Sequence, residues 1–281
     1  MSPASKNRSL AVLFVPALVV IGLLFVLPVA LFFVRSAAEA GGLRSFAELI
    51  WVTLQSGPVR NALGQTVAIS LVVTLGALLL GYPIAYFLTV APPWGFSLVI
   101  LCIVVPYFTS IIVRTYSWMV LLGRNGLINQ LLLKTGLIDG PLALIYNYTG
   151  ILIGMTYIML PYMVLTLYAA MKRIDLGLLR AAAGMGAGPA YSFRKVYLPL
   201  SAHGVISGAL IVFILCLGFF VTPALMGGPG NVMIAMLIQN EVEIVMNWGS
   251  AAAMAVILFV MTAVLYAIYY RLSDVDKLMG R

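Results

Sequence analysis

The chain has 281 residues, of which 63% are hydrophobic and only 9% are charged, whereas soluble proteins are about 45–50% apolar and about 25% charged. With a formal net charge of +8 and a mean hydropathy of +1.11, its apolar surface needs lipid around it. This composition excludes a soluble enzyme, a disordered chain and a disulfide scaffold, and an outer-membrane barrel would give a weaker, alternating pattern. It predicts an all-α membrane protein with several spans.

Six apolar stretches are long enough to cross about 30 Å of hydrocarbon as α-helices. The first follows two basic residues, but it is far longer than the apolar segment of about 7–15 residues in a signal peptide, so we interpret it as a retained span. Cys102 and Cys216 lie inside apolar stretches and are interpreted as buried small hydrophobic residues. The predicted spans are residues 10–34, 61–90, 94–122, 142–171, 201–226 and 250–271.

The basic residues predict the orientation, because cytoplasmic loops are enriched in Lys and Arg. With both termini in the cytoplasm, ten basic residues lie inside and five outside. The inner set is Lys6, Arg8, Lys172, Arg173, Arg180, Arg194, Lys195, Arg271, Lys277 and Arg281, and the outer set is Arg35, Arg44, Arg60, Arg124 and Lys134.

Spans two to five each contain one internal proline: Pro83, Pro106, Pro161 and Pro223. Proline removes a backbone hydrogen bond and tends to kink a helix. Prolines are common in transmembrane helices and can serve packing alone. Four kinked central helices nevertheless favour a transport pathway over a simple anchor, since broken helices are tolerated beside a cavity.

Arg114 is the one ionisable residue well inside a predicted span, and such charges usually face a cavity or a partner. Tyr107, Ser110, Arg114 and Trp118 are spaced by three, four and four residues, which predicts one polar and aromatic helix face suited to a pathway. The alternative is structural: Arg114 extends towards the membrane surface or binds a neighbouring carbonyl. Further pathway candidates are Phe219 and Thr222, and the candidates for an outer mouth are Glu241 and Glu243.

Residues 172–199, which we call the basic loop, predict two short helices joined by a glycine turn. Asp175 is a candidate N-cap for a helix over residues 176–185, and its apolar side is predicted to hold Leu178, Leu179 and Ala182. The glycines that interrupt it are Gly184, Gly186 and Gly188.

A second helix is predicted to start at Pro189 and to stop at Pro199, before the fifth span. Helices this short are marginal in water unless they pack on something. The small residues permit close approach and Phe193 supplies an apolar side chain, which favours a rigid docking element for a soluble partner. The alternative is a loop that packs on its own helices.

This loop resembles the cytoplasmic "EAA" loop of ABC importer permeases. The positions that match the pattern are Ala181, Ala182, Gly186, Phe193, Leu198 and Pro199, while Arg180 stands where the family has glutamate. The segments around Pro106, Arg114 to Trp118, 126–129 and 225–228 are similar to permeases of spermidine/putrescine-type systems. The resemblance covers about residues 61–271, with extra similarity in the first helix.

The resemblance implies the type I ABC importer permease fold with six transmembrane helices, arranged as an N-terminal helix with an external segment (1–60), a permease core (61–271) and a cytoplasmic tail (272–281). It implies a bacterial inner-membrane protein that works with a second permease, two ATPase subunits and an external, periplasmic binding protein. The ATPase-docking residues would be Arg180, Ala181, Ala182, Gly184, Gly186, Ala187 and Phe193.

The residues themselves give no sign of an enzyme or of nucleic-acid binding. The chain has no G-x-x-x-x-G-K-[ST] phosphate loop, so ATP and Mg²⁺ are expected in the partner ATPase subunits. No metal-ligand cluster is evident, and His203, the single histidine, has no partner that the sequence identifies. We expect His203 at a helix end beside the cytoplasmic surface.

The resemblance favours a polyamine as the cargo, which Tyr and Trp rings could hold through cation–π contacts. No Asp or Glu lies inside a predicted span, and Arg114 would instead attract an anion, so a small zwitterion, an amino-acid derivative or an organic anion is the alternative. An ion-coupled secondary transporter is less favoured. Such proteins often carry intramembrane carboxylates and inverted repeats, and this sequence shows neither a carboxylate inside a predicted span nor a convincing repeat. A membrane scaffold is disfavoured because it has no use for the basic loop.

Overall fold

The computed structural model of the chain describes residues 15–16 and 19–272, without the side chains of residues 25 and 269–272. In these residues every regular element is helical. Residues 10–14 and 17–18 of the first predicted span, the tail after residue 272, and Lys6, Arg8, Lys277 and Arg281 lie outside the described residues. The α-helices are α1 (Leu27–Glu39), α2 (Leu43–Gln55), α3 (Gly57–Val90), α4 (Pro93–Tyr107), α5 (Ile111–Leu122), α6 (Leu127–Lys134), α7 (Tyr148–Met171), α8 (Gly177–Gly184), α9 (Pro189–Ser192), α10 (Leu198–Leu217), α11 (Val221–Met226), α12 (Ile234–Asn240) and α13 (Trp248–Leu272), with π-helical turns over Gly22–Val26, Phe193–Tyr197 and Glu241–Val245.

Five stretches of these helices are long and apolar enough to cross a membrane: Val19–Glu39, Gly57–Val90, Tyr148–Met171, Pro189–Leu217 and Trp248–Ile268. A sixth results if Pro93–Tyr107 and Ile111–Lys134, which are bent by 105°, count as one broken span. The predicted all-α class is therefore confirmed, and six spans require the broken one.

The described residues form two compact units. The first contains the residues up to Ser56 and Ile238–Ile257, and the second contains Gly57–Leu237 and the residues from Leu258 onward. The predicted domain boundary at residue 60 stays a prediction. In the first unit, Ala37 and Phe46 pack with Ala252 and Ala253, and Phe32 lies edge-on to Trp248.

The second unit is built on α3, α7 and α10, whose apolar side chains form one continuous core. Small residues let the helix backbones approach, as in many membrane bundles. An added Cβ on Gly204 would lie 2.5 Å from the Ala170 side chain, and one on Gly81 would lie 3.0 Å from that of Met163. Pro83 and Pro161 lie inside continuous helices of this bundle.

Three predicted element boundaries are wrong. The third span is not one helix, because the chain breaks between Tyr107 and Ile111 just after Pro106. The fifth span ends at Leu217 and restarts at Val221, so Pro223 lies in the first turn of the short α11, where a proline disturbs no helical bond.

The third error concerns the end of the basic loop, because the helix does not stop at Pro199. It runs from Pro189 to Leu217 without interruption. A proline ring clashes with the carbonyl four residues earlier and has no N–H to donate. A wider π-helical turn over Phe193–Tyr197 ends two residues before Pro199, so the helix changes its hydrogen-bond pattern next to the proline.

The cysteines are both free, Cys216 buried and Cys102 exposed on the apolar surface. The interpretation as buried residues is thus confirmed for Cys216 and wrong for Cys102. The reason is that α4 packs only part of its surface on this chain.

Candidate functional site: the basic loop and the broken third span

The first helix of the basic loop is anchored at its start and on one side. Asp175 Oδ1 accepts a hydrogen bond of 2.7 Å from the Gly177 amide. Because α8 begins one residue later than expected, its N-cap is Leu176, and the prediction of Asp175 as the N-cap is wrong by one residue. Ala182 is buried and Leu179 half-buried, as predicted, but Leu178 is 47% exposed, so its assignment to the packed side is wrong.

The glycine turn after α8 is a Schellman motif centred on Gly186. Gly186 has a φ of +86°, its amide donates to the Ala183 carbonyl at 3.0 Å, and the Ala187 amide donates to the Ala182 carbonyl at 3.0 Å. These two bonds satisfy carbonyls that a helix end leaves free. The positive φ suits glycine because it has no Cβ, and the predicted glycine turn between the two short helices is confirmed.

The second helix of the basic loop starts at Pro189, also as predicted, with Gly188 in extended backbone before it. Because this helix continues into α10, the basic loop and the bundle share one rigid element. Displacement of the loop therefore acts directly on α10.

Four aromatic side chains fasten the basic loop to α3, and we call them the aromatic cluster: Tyr82, Tyr86, Phe193 and Tyr197. Phe193 lies edge-on to Tyr82 and Tyr86, with ring centroids 6.2 and 5.7 Å apart, and stacks on Tyr197 at 5.7 Å. Tyr86 is also edge-on to Tyr197 at 5.0 Å. These are favourable aromatic geometries, and the Tyr82 hydroxyl is 2.8 Å from Ser201 Oγ on α10.

The aromatic cluster includes Phe193, which was predicted to dock on the ATPase subunit. Its ring is half-buried within this chain and packs on Tyr82 and Tyr86, so it helps to fix the loop to the bundle, and its role in docking stays a prediction. Among the other predicted docking residues, Ala182 is buried and Ala187 half-buried, while Arg180, Ala181, Gly184 and Gly186 are exposed.

The broken third span separates residues that were predicted to share one helix face. Tyr107 ends α4, Ser110 precedes α5, and Arg114 and Trp118 lie on α5, so the single face is wrong. Both halves still face α7: the Tyr107 and Tyr162 rings are 5.6 Å apart, and the Trp118 and Tyr157 rings are 5.3 Å apart.

Arg114 lies between these two aromatic contacts along the chain and is half-buried. Its Nε atom is buried and has no hydrogen-bond partner among the described residues. Leaving a buried guanidinium nitrogen without a hydrogen-bond partner costs free energy. The Nε atom therefore gives no support to the alternative in which Arg114 binds a neighbouring carbonyl of this chain.

The remaining pathway candidates differ in exposure. Phe219 is half-buried in the break between α10 and α11. Thr222 is fully buried and its hydroxyl is 3.1 Å from that of Thr115, so Thr222 joins α11 to α5, and its place in a pathway stays a prediction. Glu241 and Glu243 lie in a π-helical turn of the first unit, and Glu243 accepts a hydrogen bond from Gln239 at 2.9 Å.

His203 lies on the exposed side of α10, within the continuous helix and not at its end. With Arg173, Asp175 and Leu178 it lines an open cavity of about 570 Å³ beside the basic loop. Its lining also includes apolar residues, among them Ala169, Ile174 and Leu200.

Sequence reasoning missed the tyrosines of the aromatic cluster and the role of Asn129. Tyr82 and Tyr86, like Phe193 and Tyr197, are four residues apart, which places each pair on one helix face. Asn129 is fully buried; its Nδ2 donates to the Gly123 and Leu142 carbonyls and its Oδ1 accepts from the Leu142 amide. This amide holds α6 to the segment before α7.

Residues 9–274 match the family model described as the binding-protein-dependent transport system inner membrane component. The chain belongs to this family. It is therefore a membrane permease component of an ABC importer, as the resemblance in the basic loop indicated. The match is wider than the predicted core of residues 61–271 and includes all of the predicted first span, where the sequence also showed extra similarity.

The curated relatives of this chain are also named as permease proteins of transport systems. The spermidine/putrescine transport system permease protein PotB of Escherichia coli K12 is 33% identical over 204 residues, 73% of this chain and 74% of the relative. PotB of Haemophilus influenzae is 31% identical over 236 residues, 84% and 77% of the two chains. A putative 2-aminoethylphosphonate transport system permease protein, PhnU of Salmonella typhimurium, is 26% identical over 275 residues, 95% and 93% of the two chains.

Solved structures share the fold. A chain of a bacterial alginate ABC transporter, in complex with its alginate-bound periplasmic protein, superposes with a TM-score of 0.72 at 17% identity, covering 96% of this chain and 95% of that one. A chain of the MetNI methionine ABC transporter gives 0.58 at 18% identity, covering 81% and 100%. The type I ABC importer permease fold is thereby confirmed.

Proposed function

We propose that this chain and a second permease form the pathway of an ATP-driven importer in a bacterial inner membrane, with both termini and the basic loop in the cytoplasm. An external binding protein delivers the solute. Two ATPase subunits bind ATP and Mg²⁺ and receive the basic loop. The alginate and methionine transporters with this fold are ABC transporters, and one is seen with its periplasmic protein, which supports this assembly.

The observation that carries the proposal is the architecture of the basic loop. A Schellman-capped helix presents exposed small residues and Arg180, while the aromatic cluster fastens its other side to α3. A loop that served only to connect two spans would need neither feature.

We infer a mechanical role for this loop. Closure of the ATPase subunits displaces α8, and the Schellman turn passes the motion to α9. From there the continuous helix carries it into α10, and the aromatic cluster carries it into α3. Two of the three helices of the central bundle then move with the loop, which opens or closes the pathway beside them.

A polyamine is the proposed cargo, supported by the PotB relatives at 31–33% identity. Tyr107, Tyr162 and Trp118, along α7 and the broken span, offer ring faces that attract ammonium groups. The carboxylates that a polycation needs come from the partner permease or from Glu241 and Glu243.

A small anionic or zwitterionic cargo is the second candidate, and Arg114 favours it. Its half-buried guanidinium has an unpaired Nε, which suits a ligand carboxylate or phosphonate. The relative PhnU carries the name of a 2-aminoethylphosphonate system.

The test is ATP hydrolysis by the assembled complex in lipid, with its binding protein, in the presence of spermidine, putrescine or small organic anions. We expect stimulation by a polyamine. Stimulation by an anion or zwitterion alone would keep the transporter class and make Arg114 a ligand, whereas no ATPase subunit in the assembled complex would contradict the proposal.

A further inference from the structure

The basic loop has a ridge that points away from its own bundle. On α8, Arg180 and Gly184 are each two residues from the buried Ala182, which at about 100° per residue places both about 160° away from it. An added Cβ on Gly184 would have no neighbour within 4 Å. Met185 follows and is 84% exposed. We call Arg180, Gly184 and Met185 the outer ridge.

The outer ridge stands in a strongly basic surface. The basic loop contains five cations, Lys172, Arg173, Arg180, Arg194 and Lys195, all exposed, and one carboxylate, Asp175, which is bound to the Gly177 amide. The ion pairs among the described residues, Arg35–Glu39 and Arg44–Glu48, both lie in other segments. Lys172 is 5.7 Å from the centre of the Tyr168 ring, while no described carboxylate pairs with the remaining four cations.

We propose that the outer ridge docks on an acidic cleft of the ATPase subunit, with an apolar socket for Met185 and a carboxylate facing Arg180. The inference rests on the proposed function and deepens it. Where the family pattern places a glutamate, this chain supplies a cation, so its ATPase partner has the complementary charge at that point. The pairing makes this permease selective for its own ATPase, since a basic cleft would repel the ridge.

The shape of the ridge favours a protein over anionic lipid headgroups. Headgroups would satisfy the cations but require no particular shape around them. The exposed Ala181 and Gly184 leave the α8 backbone open to close approach, and the flexible Met185 side chain adapts to an apolar pocket. A ridge of small residues that ends in an exposed methionine fits a preformed cleft.

The first experiment places a photo-crosslinking amino acid at Met185 in the complete transporter. We expect a crosslink to the ATPase subunit, in a peptide that contains Asp or Glu and apolar residues. A crosslinked peptide without Asp or Glu, or crosslinks to lipid alone, would overturn the inference.

The second experiment compares Arg180→Glu with Arg180→Lys and with the matched control Arg124→Glu, which reverses an exposed cation outside the basic loop. We expect Arg180→Glu to weaken retention of the ATPase subunit about tenfold, as loss of one close charge pair does. Arg180→Lys and Arg124→Glu should retain it. Replacing the Asp or Glu of the crosslinked ATPase peptide with Lys should restore binding of the ATPase subunit to the Arg180→Glu variant.

The outcomes separate this inference from the proposed function. If no ATPase subunit co-purifies with the wild-type complex, the proposed function fails. If the subunit co-purifies equally with wild type and Arg180→Glu, only the acidic cleft is overturned. If Arg180→Glu lowers retention of the ATPase subunit only in vesicles containing phosphatidylglycerol, and not in phosphatidylcholine vesicles, Arg180 binds lipid. That result would also overturn the acidic cleft.

Discussion

The chain interrupts its helices in two contrasting ways, at the basic loop and at the broken third span. The interruption at Gly186 is closed by local backbone hydrogen bonds and leaves cations and Met185 exposed. The interruption between Tyr107 and Ile111 bends the chain by 105° in an apolar segment, and its second half is held by side chains of α7 and α11.

This difference shows what each interruption can do. A turn whose backbone groups are satisfied locally keeps its shape when a partner arrives, so it transmits force. A bend held by the Thr115–Thr222 bond and by aromatic contacts can rearrange by exchanging those contacts, and it brings Arg114 to the bundle. The basic loop is thus suited to coupling, and the broken span to the pathway.

The largest expected effect is that of Gly186→Val on coupling. A β-branched residue at a φ of +86° costs roughly 1–3 kcal/mol, so the turn distorts while the membrane bundle remains intact. We expect normal insertion but at least about tenfold less solute imported per ATP hydrolysed. Gly188→Val is the control, because Gly188 has an ordinary φ of −66°; equal transport by both variants would contradict a rigid turn.

Phe193→Ala tests the aromatic cluster, and we expect the next largest effect. Loss of a buried Phe costs about 3–5 kcal/mol, and about half of that is expected here because the ring is half-buried. ATP hydrolysis should continue while uptake falls several-fold. Tyr191→Ala, at a 61% exposed aromatic residue of the same loop, should leave both rates unchanged. If Phe193→Ala abolished ATPase binding instead, Phe193 would be a docking residue.

Arg114→Ala tests the broken span, with a smaller effect on assembly than either variant in the loop. We expect the yield of folded complex to stay at the wild-type level, because the guanidinium Nε forms no bond within the described chain. Uptake should change, and the KM for the solute should change more than the rate of ATP hydrolysis. A lower yield with an unchanged KM would show that Arg114 is structural.

Thr222→Val removes one hydroxyl from the contact between α5 and α11, and we expect the smallest effect. Thr115 keeps its bond to the Ile111 carbonyl, so the loss is about 1 kcal/mol or less. Thermal unfolding of the purified complex should show a small decrease, with uptake retained. A complete loss of uptake would place Thr222 in the pathway.

The sequence alone determined the membrane class, the family and the local geometry of the basic loop. Each depends on short-range physics: apolar length sets the spans, and a glycine at a helix end favours the left-handed turn found at Gly186. For the same reason the hydrogen bond from Gly177 at the start of α8 to Asp175 and the helix start at Pro189 were predictable to within one residue.

Only the tertiary structure shows where the third span breaks and which helix faces meet. The spacing of Tyr107, Ser110 and Arg114 fits one helix, yet the chain breaks there and its two halves make separate contacts with α7 and α11. Phe193 is an apolar residue in an exposed loop by sequence, and only packing against Tyr82 and Tyr86, more than a hundred residues earlier, makes it an anchor. Helix ends follow from local bonds, whereas the faces that meet depend on distant partners.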